Sequence, residues 1–369
     1  MSLLWIVLVP AAVYQGLAIV AALRHLSRRR SRGSSGSFSP AVSVLKPLHG
    51  IDPNTHEAFV SQIEQRYPAF ELLFGARDED DPAAVEVRRL QREFSAAPLR
   101  LVIGGALTPN AKVGVLTELA RHARYPIWVI NDSDIKVDSE YLAEIVAPLS
   151  DLSVGIVTCL YRVKPQNLPA AWEALGIATD FMPSTLVAQF IGVREFGLGS
   201  TLAFRAADFE KAGGFASIAD YLADDYQLAK QITSLGKRAV LSTYIVETGL
   251  GDATWRGVWR HQLRWARTIR ASKGRGYAGL PITHCGLWIS IALVCGAWPS
   301  AIILAALRNA SGFLTGWFIL RSRLAAAFCW LAPVWDLYAF SVWLTSYAGR
   351  NVRWRDKTLA IDAEGRIQT

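Results

Sequence analysis

Cysteine is scarce and unpatterned in this chain. Only Cys159, Cys285, Cys295 and Cys329 occur, no two of them form a CxxC pair, and three fall in apolar stretches. That excludes a disulfide framework and argues against a structural zinc site, leaving the four as small apolar fillers in a reducing compartment. Zinc-finger spacing and a basic helix–heptad pattern are also missing, so the net charge of +8 does not point to nucleic acid. There is no internal repeat. Nor does a basic segment precede the first apolar run, as it would in a cleaved signal peptide.

Apolar residues are what the chain has in quantity, 51% of 369, and they crowd toward its two ends. Leu3 to Leu23 is almost wholly apolar and long enough to cross roughly 30 Å of hydrocarbon. Arg24, His25, Arg28, Arg29, Arg30 and Arg32 follow it. The segment therefore reads as an uncleaved anchor whose basic flank, and the domain after it, lie on the cytoplasmic side. A buried helix of a soluble protein is the alternative. Three further apolar stretches, Ile282–Trp298, Ser300–Leu320 and Leu324–Tyr347, fill the C-terminal part, with Arg308 inside the second and Pro333 and Asp336 inside the third. If the domain and the basic run Arg350–Lys357 share one side, the C-terminal crossings must be even in number; two crossings plus one broken or interfacial helix satisfy this. The basic clusters border apolar segments and read as head-group contacts or topology signals.

Arg32 to Ser39 is rich in Gly and Ser and reads as a linker. From Pro40 onward short β-branched runs alternate with helical patterns. Strands are expected at Val42–Lys46, Glu71–Ala76, Leu99–Ile103, Ile127–Asn131, Val154–Leu160, Ser200–Phe204 and Val240–Val246. Helices are expected to start near Asn54, Pro82, Ala111, Ser139, Ala206 and Asp224. This alternation predicts an α/β domain with a mainly parallel sheet covered on both faces. Ligands gather at the carboxyl ends of such strands, and there the chain carries Lys46, His49, Asp78, Asp132 and Asp134. Trp255 to Arg270 alternates apolar and arginine positions at helical spacing, which suits a membrane interface or, more plainly, a helix packed on the soluble domain.

The sharpest local signal is Ile127-Trp-Val-Ile-Asn-Asp132-Ser-Asp134, an apolar strand that delivers two carboxylates to its open end. Such a pair suits Mg2+ or Mn2+ on a diphosphate; the plainer reading is a cap for the helix near Ser139. Asp78 follows an earlier strand, while Asp81 with Pro82 reads as a helix cap. Asn110 and Lys112 precede a helix leading back toward the Asp132 strand, with Lys112 either a nucleotide contact or a surface lysine. Asp224 and Asp225 open another helix: Asp225 is a candidate general base and Asp224 a candidate cap, unless both merely start the helix. His261, Arg264 and Trp265 share a helix face. Arg264 suits a diphosphate and Trp265 an acceptor wall, against the alternative of a lipid-facing Trp with a snorkelling Arg.

From about Val42 to Ile361 the chain resembles the ceramide glucosyltransferase family. The likeness lies in Asp78–Ala83, the Asp132-Ser133 step, Gly213-Gly214 before Ala223-Asp-Asp-Tyr226, Arg264-Trp265, and Trp354-Arg355 in the tail. One departure is His261, where the Gln/Arg-x-x-Arg-Trp signature begins with Gln or Arg. The resemblance implies a GT-A nucleotide-sugar transferase domain and an inverting transfer from a UDP-sugar to a lipid. It implies Asp78 and Asp132 at the nucleotide-sugar, where Lys112 and Trp265 are also expected, Asp225 as the base, and Arg264 with Trp265 completing the catalytic signature that His261 opens. The run His261–Arg270 and Cys159-Leu-Tyr-Arg162 most resemble the bacterial hopanoid-biosynthesis branch, which implies N-acetylglucosamine transfer to a hopanoid such as bacteriohopanetetrol.

The expected organisation is an anchor (1–26), a linker (27–39), a cytosolic catalytic domain (40–254), an interfacial helix (255–277), membrane helices (278–349) and a basic tail (350–369). It implies a multi-pass protein of the bacterial inner membrane, with Asp132 and Asp134 holding the cation, a UDP-sugar donor and a lipid acceptor. Three rivals stand beside the hopanoid reading: a ceramide glucosyltransferase, a processive polysaccharide synthase, for which the chain is short of spans, and an inactive membrane scaffold.

Overall fold

The computed structural model describes residues 2–30, 38–354 and 357–368. The chain forms two compact units. One takes in Arg32–Tyr161 and Val193–Gly251, the other Met1–Ser31, Arg162–Gly192 and Asp252–Gln368. The linker expected at Arg32–Ser39 lies largely outside the described residues, as does Arg355 of the Trp354-Arg355 step.

The first unit is built on a seven-stranded sheet: β1 (Val42–Pro47), β2 (Phe70–Ala76), β3 (Leu99–Ile103), β4 (Ile127–Ile130), β5 (Val154–Val163, whose last two residues belong to the other unit), β6 (Leu202–Arg205) and β7 (Arg238–Thr248). Their order across the sheet is β3-β2-β1-β4-β6-β5-β7. All seven fall where the sequence places them, within a few residues at each end. β3, β2, β1 and β4 are parallel, and every position of β1 and β4 is buried. Strands covered on both faces read as continuous apolar runs for this reason. On one face Leu45, Leu73, Trp128, Ile130 and Phe204 pack against Val113, Leu116 and Leu119 of the helix Ala111–His122 and Leu228 and Ile232 of the helix Asp224–Ser234. Burying each such side chain contributes roughly 1.5–3 kcal/mol.

β6 is the exception to the parallel pattern. It pairs antiparallel with both β4 (Ile130↔Leu202) and β5 (Thr158↔Leu202). Its first residues therefore sit at the edge where β4 ends, and this reversal makes the site described below.

Among the described residues of the second unit three helices are long and apolar enough to cross a membrane: Ile6–Arg28, Trp298–Ile319 and Arg323–Ser346. A fourth stretch, Gly276–Ile282 with Cys285–Val294, bends by 49° at its break. Leu168–Phe190 forms a helix that the periodicity analysis did not isolate; it carries a π turn at Ile177–Phe181. Asn167 caps it, accepting from the Ala170 amide at 3.0 Å. Residues 162–192, assigned by sequence to the catalytic domain, pack with the helical unit.

Trp255–Lys273 is helical over the span expected for an amphipathic helix, with Thr254 accepting from the Gly257 amide at 3.0 Å. Within its unit it lies against the helix Ala332–Ser346, where Trp259 meets Tyr338 at 5.6 Å between ring centroids. The tail is folded rather than merely basic: Asn351–Trp354, Lys357–Ile361 and Ile367–Gln368 form an antiparallel three-stranded sheet. Arg270 binds the Gly349 carbonyl at 2.8 Å and Arg267 binds that of Asn351.

Candidate active site

Four parallel strands end on one edge of the sheet, and the polar residues that follow them meet there. Lys46 is the last residue but one of β1; its neighbour in register is Phe74 on β2, and Leu45 pairs with Ile130 on β4. That register brings the Lys46 ammonium to Asn131 Oδ1 (2.8 Å) and to the Asp132 carbonyl (2.7 Å). Lys46 is fully buried, and burial pulls it down to about 7 against the opposing pull of Asp134 and Asp132.

Asp132 and Asp134 leave β4 as the sequence predicts. Neither caps the helix near Ser139: that helix begins at Tyr141, and Asp138 accepts from the Glu140 amide instead. Asp132 Oδ1 is 2.8 Å from the Lys112 ammonium, which also lies 3.0 Å from Asp224 Oδ2. Burial lowers Lys112, but Asp132, Asp224 and Asp225 outweigh it and hold the ammonium above its ordinary range. Lys112 is thus no stray surface lysine. Asn110 fixes where it sits, accepting from the Lys112 amide (3.0 Å) and the Val113 amide (3.3 Å) while donating to the Tyr221 carbonyl (2.8 Å). Asp134 accepts from the Thr248 hydroxyl at the end of β7, and burial with repulsion from Asp132 raises its pKa.

Asp225 approaches from the helix Asp224–Ser234. Its Oδ2 accepts from the Gly199 amide (2.9 Å) and its Oδ1 from the Tyr226 amide (2.7 Å). Burial and the neighbouring Asp224 push Asp225 up to about 6, with Lys112 pulling the other way. The Asp224 assignment as a cap is corrected: the helix start has no side-chain cap, and the carboxylate is spent on Lys112. Gly199, just ahead of β6, is the residue that sequence reasoning missed. A Cβ there would stand 2.9 Å from Asp132 Oδ2 and 3.4 Å from Asp225 Oδ2, so the two carboxylates close on the space that only glycine leaves. The run Gly197-Leu-Gly199-Ser before a strand was the available signal.

Asp78 is exposed in the turn after β2, on the same sheet edge. Asp81 caps the next helix as expected, accepting from the Ala83 amide at 2.8 Å and from the Gly50 amide at 3.0 Å. Asp132 and Asp134 are two acidic groups close enough to repel, and among the described residues no group of three or more His, Cys, Asp or Glu is arranged to hold a metal ion by itself. Two carboxylates suit a hard divalent cation whose remaining positions are filled by substrate phosphates and water. The residues present fit that role.

His261, Arg264 and Trp265 belong to the helical unit. The His261 and Trp265 rings lie 4.6 Å apart, and Trp265 meets Phe181 at 5.3 Å. A partner of His261 that sequence did not reveal is Glu173, whose Oε1 is 2.6 Å from His261 Nδ1.

An order of strands with one reversed member, and acids at the ends of β2 and β4, define a GT-A glycosyltransferase fold. Residues 3–367 match the sequence model of Glycosyl transferase family 21, and the chain belongs to that family. Among similar proteins, ceramide glucosyltransferase 1 of Caenorhabditis elegans is 32% identical over 209 residues, covering 56% of this chain and 44% of that protein. Ceramide glucosyltransferase 3 of the same organism is 27% identical over 212 residues, 56% of this chain and 46% of its own length. The matched region is thus less than half the length of either relative. Among solved structures, the mannosyltransferase PcManGT from Pyrobaculum calidifontis, in complex with GDP-Man and Mn2+, shares the fold with a TM-score of 0.56 at 20% identity, covering 92% of this chain and 99% of its own.

Proposed function

We propose that this chain transfers a hexose from a UDP-sugar to a hydroxyl of a membrane lipid, with inversion at the anomeric carbon. The observation that carries the reading is the meeting of Asp132 and Asp225 at Gly199, with Lys112 beside them, in a member of family 21. Asp225 is the base. It takes the proton of the acceptor hydroxyl as that oxygen bonds to the anomeric carbon, and the bond to the diphosphate oxygen breaks. A carboxyl near 6 is charged at neutral pH yet basic enough to hold a proton.

Asp132 and Asp134 would hold Mg2+ or Mn2+, which supplies positive charge to the leaving diphosphate. Lys112 keeps the Asp132 carboxylate placed, and Asp78 contacts the nucleoside. Following the family signature, Arg264 steadies the departing UDP, His261 assists it and Trp265 walls the acceptor. The apolar helices Ile6–Arg28, Trp298–Ile319 and Arg323–Ser346 retain the enzyme in the bilayer holding its acceptor, which we take to be the bacterial inner membrane with the sheet unit in the cytosol.

Ceramide is the acceptor favoured by the names of the relatives. A hopanoid such as bacteriohopanetetrol is the second reading, favoured by the resemblance of the runs His261–Arg270 and Cys159-Leu-Tyr-Arg162 to the hopanoid-biosynthesis branch. Purified protein given UDP-glucose or UDP-N-acetylglucosamine with each lipid, followed by UDP release and product mass, separates them. EDTA should stop release and added Mn2+ restore it. A polymeric product would favour a polysaccharide synthase, and absence of UDP release with every pair would leave a scaffold.

A further inference from the structure

Glu173 is 2% exposed, on the helix Leu168–Gly176 of the helical unit. Its Oε1 stands 2.6 Å from His261 Nδ1 and accepts from the Gln262 side-chain Nε2 at 2.7 Å. Aromatic side chains surround this part of the unit. Trp172, the preceding residue, lies 5.3 Å from Trp335 and 5.9 Å from Tyr338 between ring centroids. A carboxylate in such a place costs stability, and an apolar side chain of similar volume would generally serve packing as well or better. The carboxylate is therefore unexplained by packing.

We propose that Glu173 is a positioning residue that sets the orientation and tautomer of His261. A carboxylate only accepts, so the hydrogen of the shared bond rides on Nδ1, which leaves Nε2 to accept when the ring is neutral and to donate to a phosphate oxygen when it is protonated. The Trp265 ring, 4.6 Å away, flanks the imidazole, and Phe181 in turn flanks Trp265. Glu173 and Phe181 are eight positions apart, about 80° around an unbroken α-helix. The wider π turn at Ile177–Phe181 takes up that rotation, so the carboxylate and the ring engage two residues of one face of the helix Trp255–Lys273. π turns are frequent at functional sites. Gln or Arg at the signature's first position would bring its own fixed donors; a histidine must have its tautomer chosen for it, and Glu173 does so. The consequence for turnover rests on the proposed sugar transfer, whereas the tautomer does not.

The test uses the full-length chain in lipid nanodiscs. Glu173→Leu should fold and melt as the native protein does, yet lower kcat by about tenfold to a hundredfold, the scale on which partners that orient a histidine act. The KM for the UDP-sugar should stay unchanged. Glu173→Gln, whose amide oxygen accepts the same bond, should recover part of the rate. In a His261→Ala background, Glu173→Leu should change the residual rate by less than about twofold, because the two act through one bond. Side-chain nitrogen NMR of the chain's six histidines should show a Nδ1-protonated ring that Glu173→Leu abolishes. Equal losses in both backgrounds, no loss in the native one, or a His261 ring protonated only on Nε2 would overturn the assignment. If the native chain transfers no sugar at all, the proposed activity fails, and the NMR signal alone decides whether Glu173 sets the tautomer.

Discussion

Each of the two units buries charge, and they do so in opposite ways. In the helical unit Arg308 is 2% exposed and Asp336 fully buried, joined by two bonds of 2.8 and 2.6 Å. Each partner makes a further bond: Arg308 Nη1 donates to the Thr179 carbonyl at 2.7 Å, and Asp336 accepts from the Gly286 amide at 2.9 Å. The pair ties the helices Trp298–Phe313 and Ala332–Ser346 together. In the sheet unit one lysine, Lys112, answers Asp132, Asp224 and Asp225 at once. Charge there is left over. A closed pair is a structural tie, whereas an excess of carboxylates at the ends of parallel strands is a site waiting for positive charge or for a proton.

The comparison is broken most severely at Asp225. Asp225→Asn should lower transfer by about 10²–10⁴-fold while donor binding, followed by calorimetry, survives. The native rate should carry an acid limb: burial and Asp224 raise this carboxyl to about 6, so it is protonated and inactive as a base below that pH and charged above it. The rate should therefore rise with pH through about 6 and level off. Lys112→Met removes the cation that opposes this shift, and the limb should move to higher pH.

The helical pair should respond in stability instead. Arg308→Leu or Asp336→Leu alone strands a buried charge and should destabilise by about 3–5 kcal/mol, whereas the two together should restore most of the loss. Thermal unfolding in nanodiscs reads both. An equally damaging double substitution would mean that the pair does more than tie helices.

Gly199→Ala should come next. The added methyl has no room between the carboxylates, so overpacking of about 1–3 kcal/mol should lower the melting temperature by several degrees and displace Asp132 and Asp225, reducing kcat. Asp81→Ala is the smallest effect, about 1 kcal/mol of stability from a lost cap, with kcat unchanged if Asp81 serves only the helix start.

Most of the sheet was legible because its strands are buried on both faces and so announce themselves as short β-branched runs. The Asp132 and Asp134 pair was legible because two carboxylates directly after such a strand have few other uses. Asp224 was misread as a cap because a helix start looks the same in sequence whether its first acid bonds the backbone or a distant lysine. Residues 168–190 were passed over, although Asn167 offers a cap, because the π turn breaks the 3.6-residue rhythm that marks a helix. The tail strands were hidden by a run of arginines.

Local patterning thus decided where strands and spans begin and end, since burial on one face or two writes a period into the chain. Which partner each charged residue meets was decided only on folding. Gly199 reaches Asp132 and Asp225 because β6 runs against its neighbours, and Glu173 reaches His261 across 88 positions of chain. Contacts between elements far apart in sequence depend on strand direction and helix register, and neither leaves a local signature in residue order.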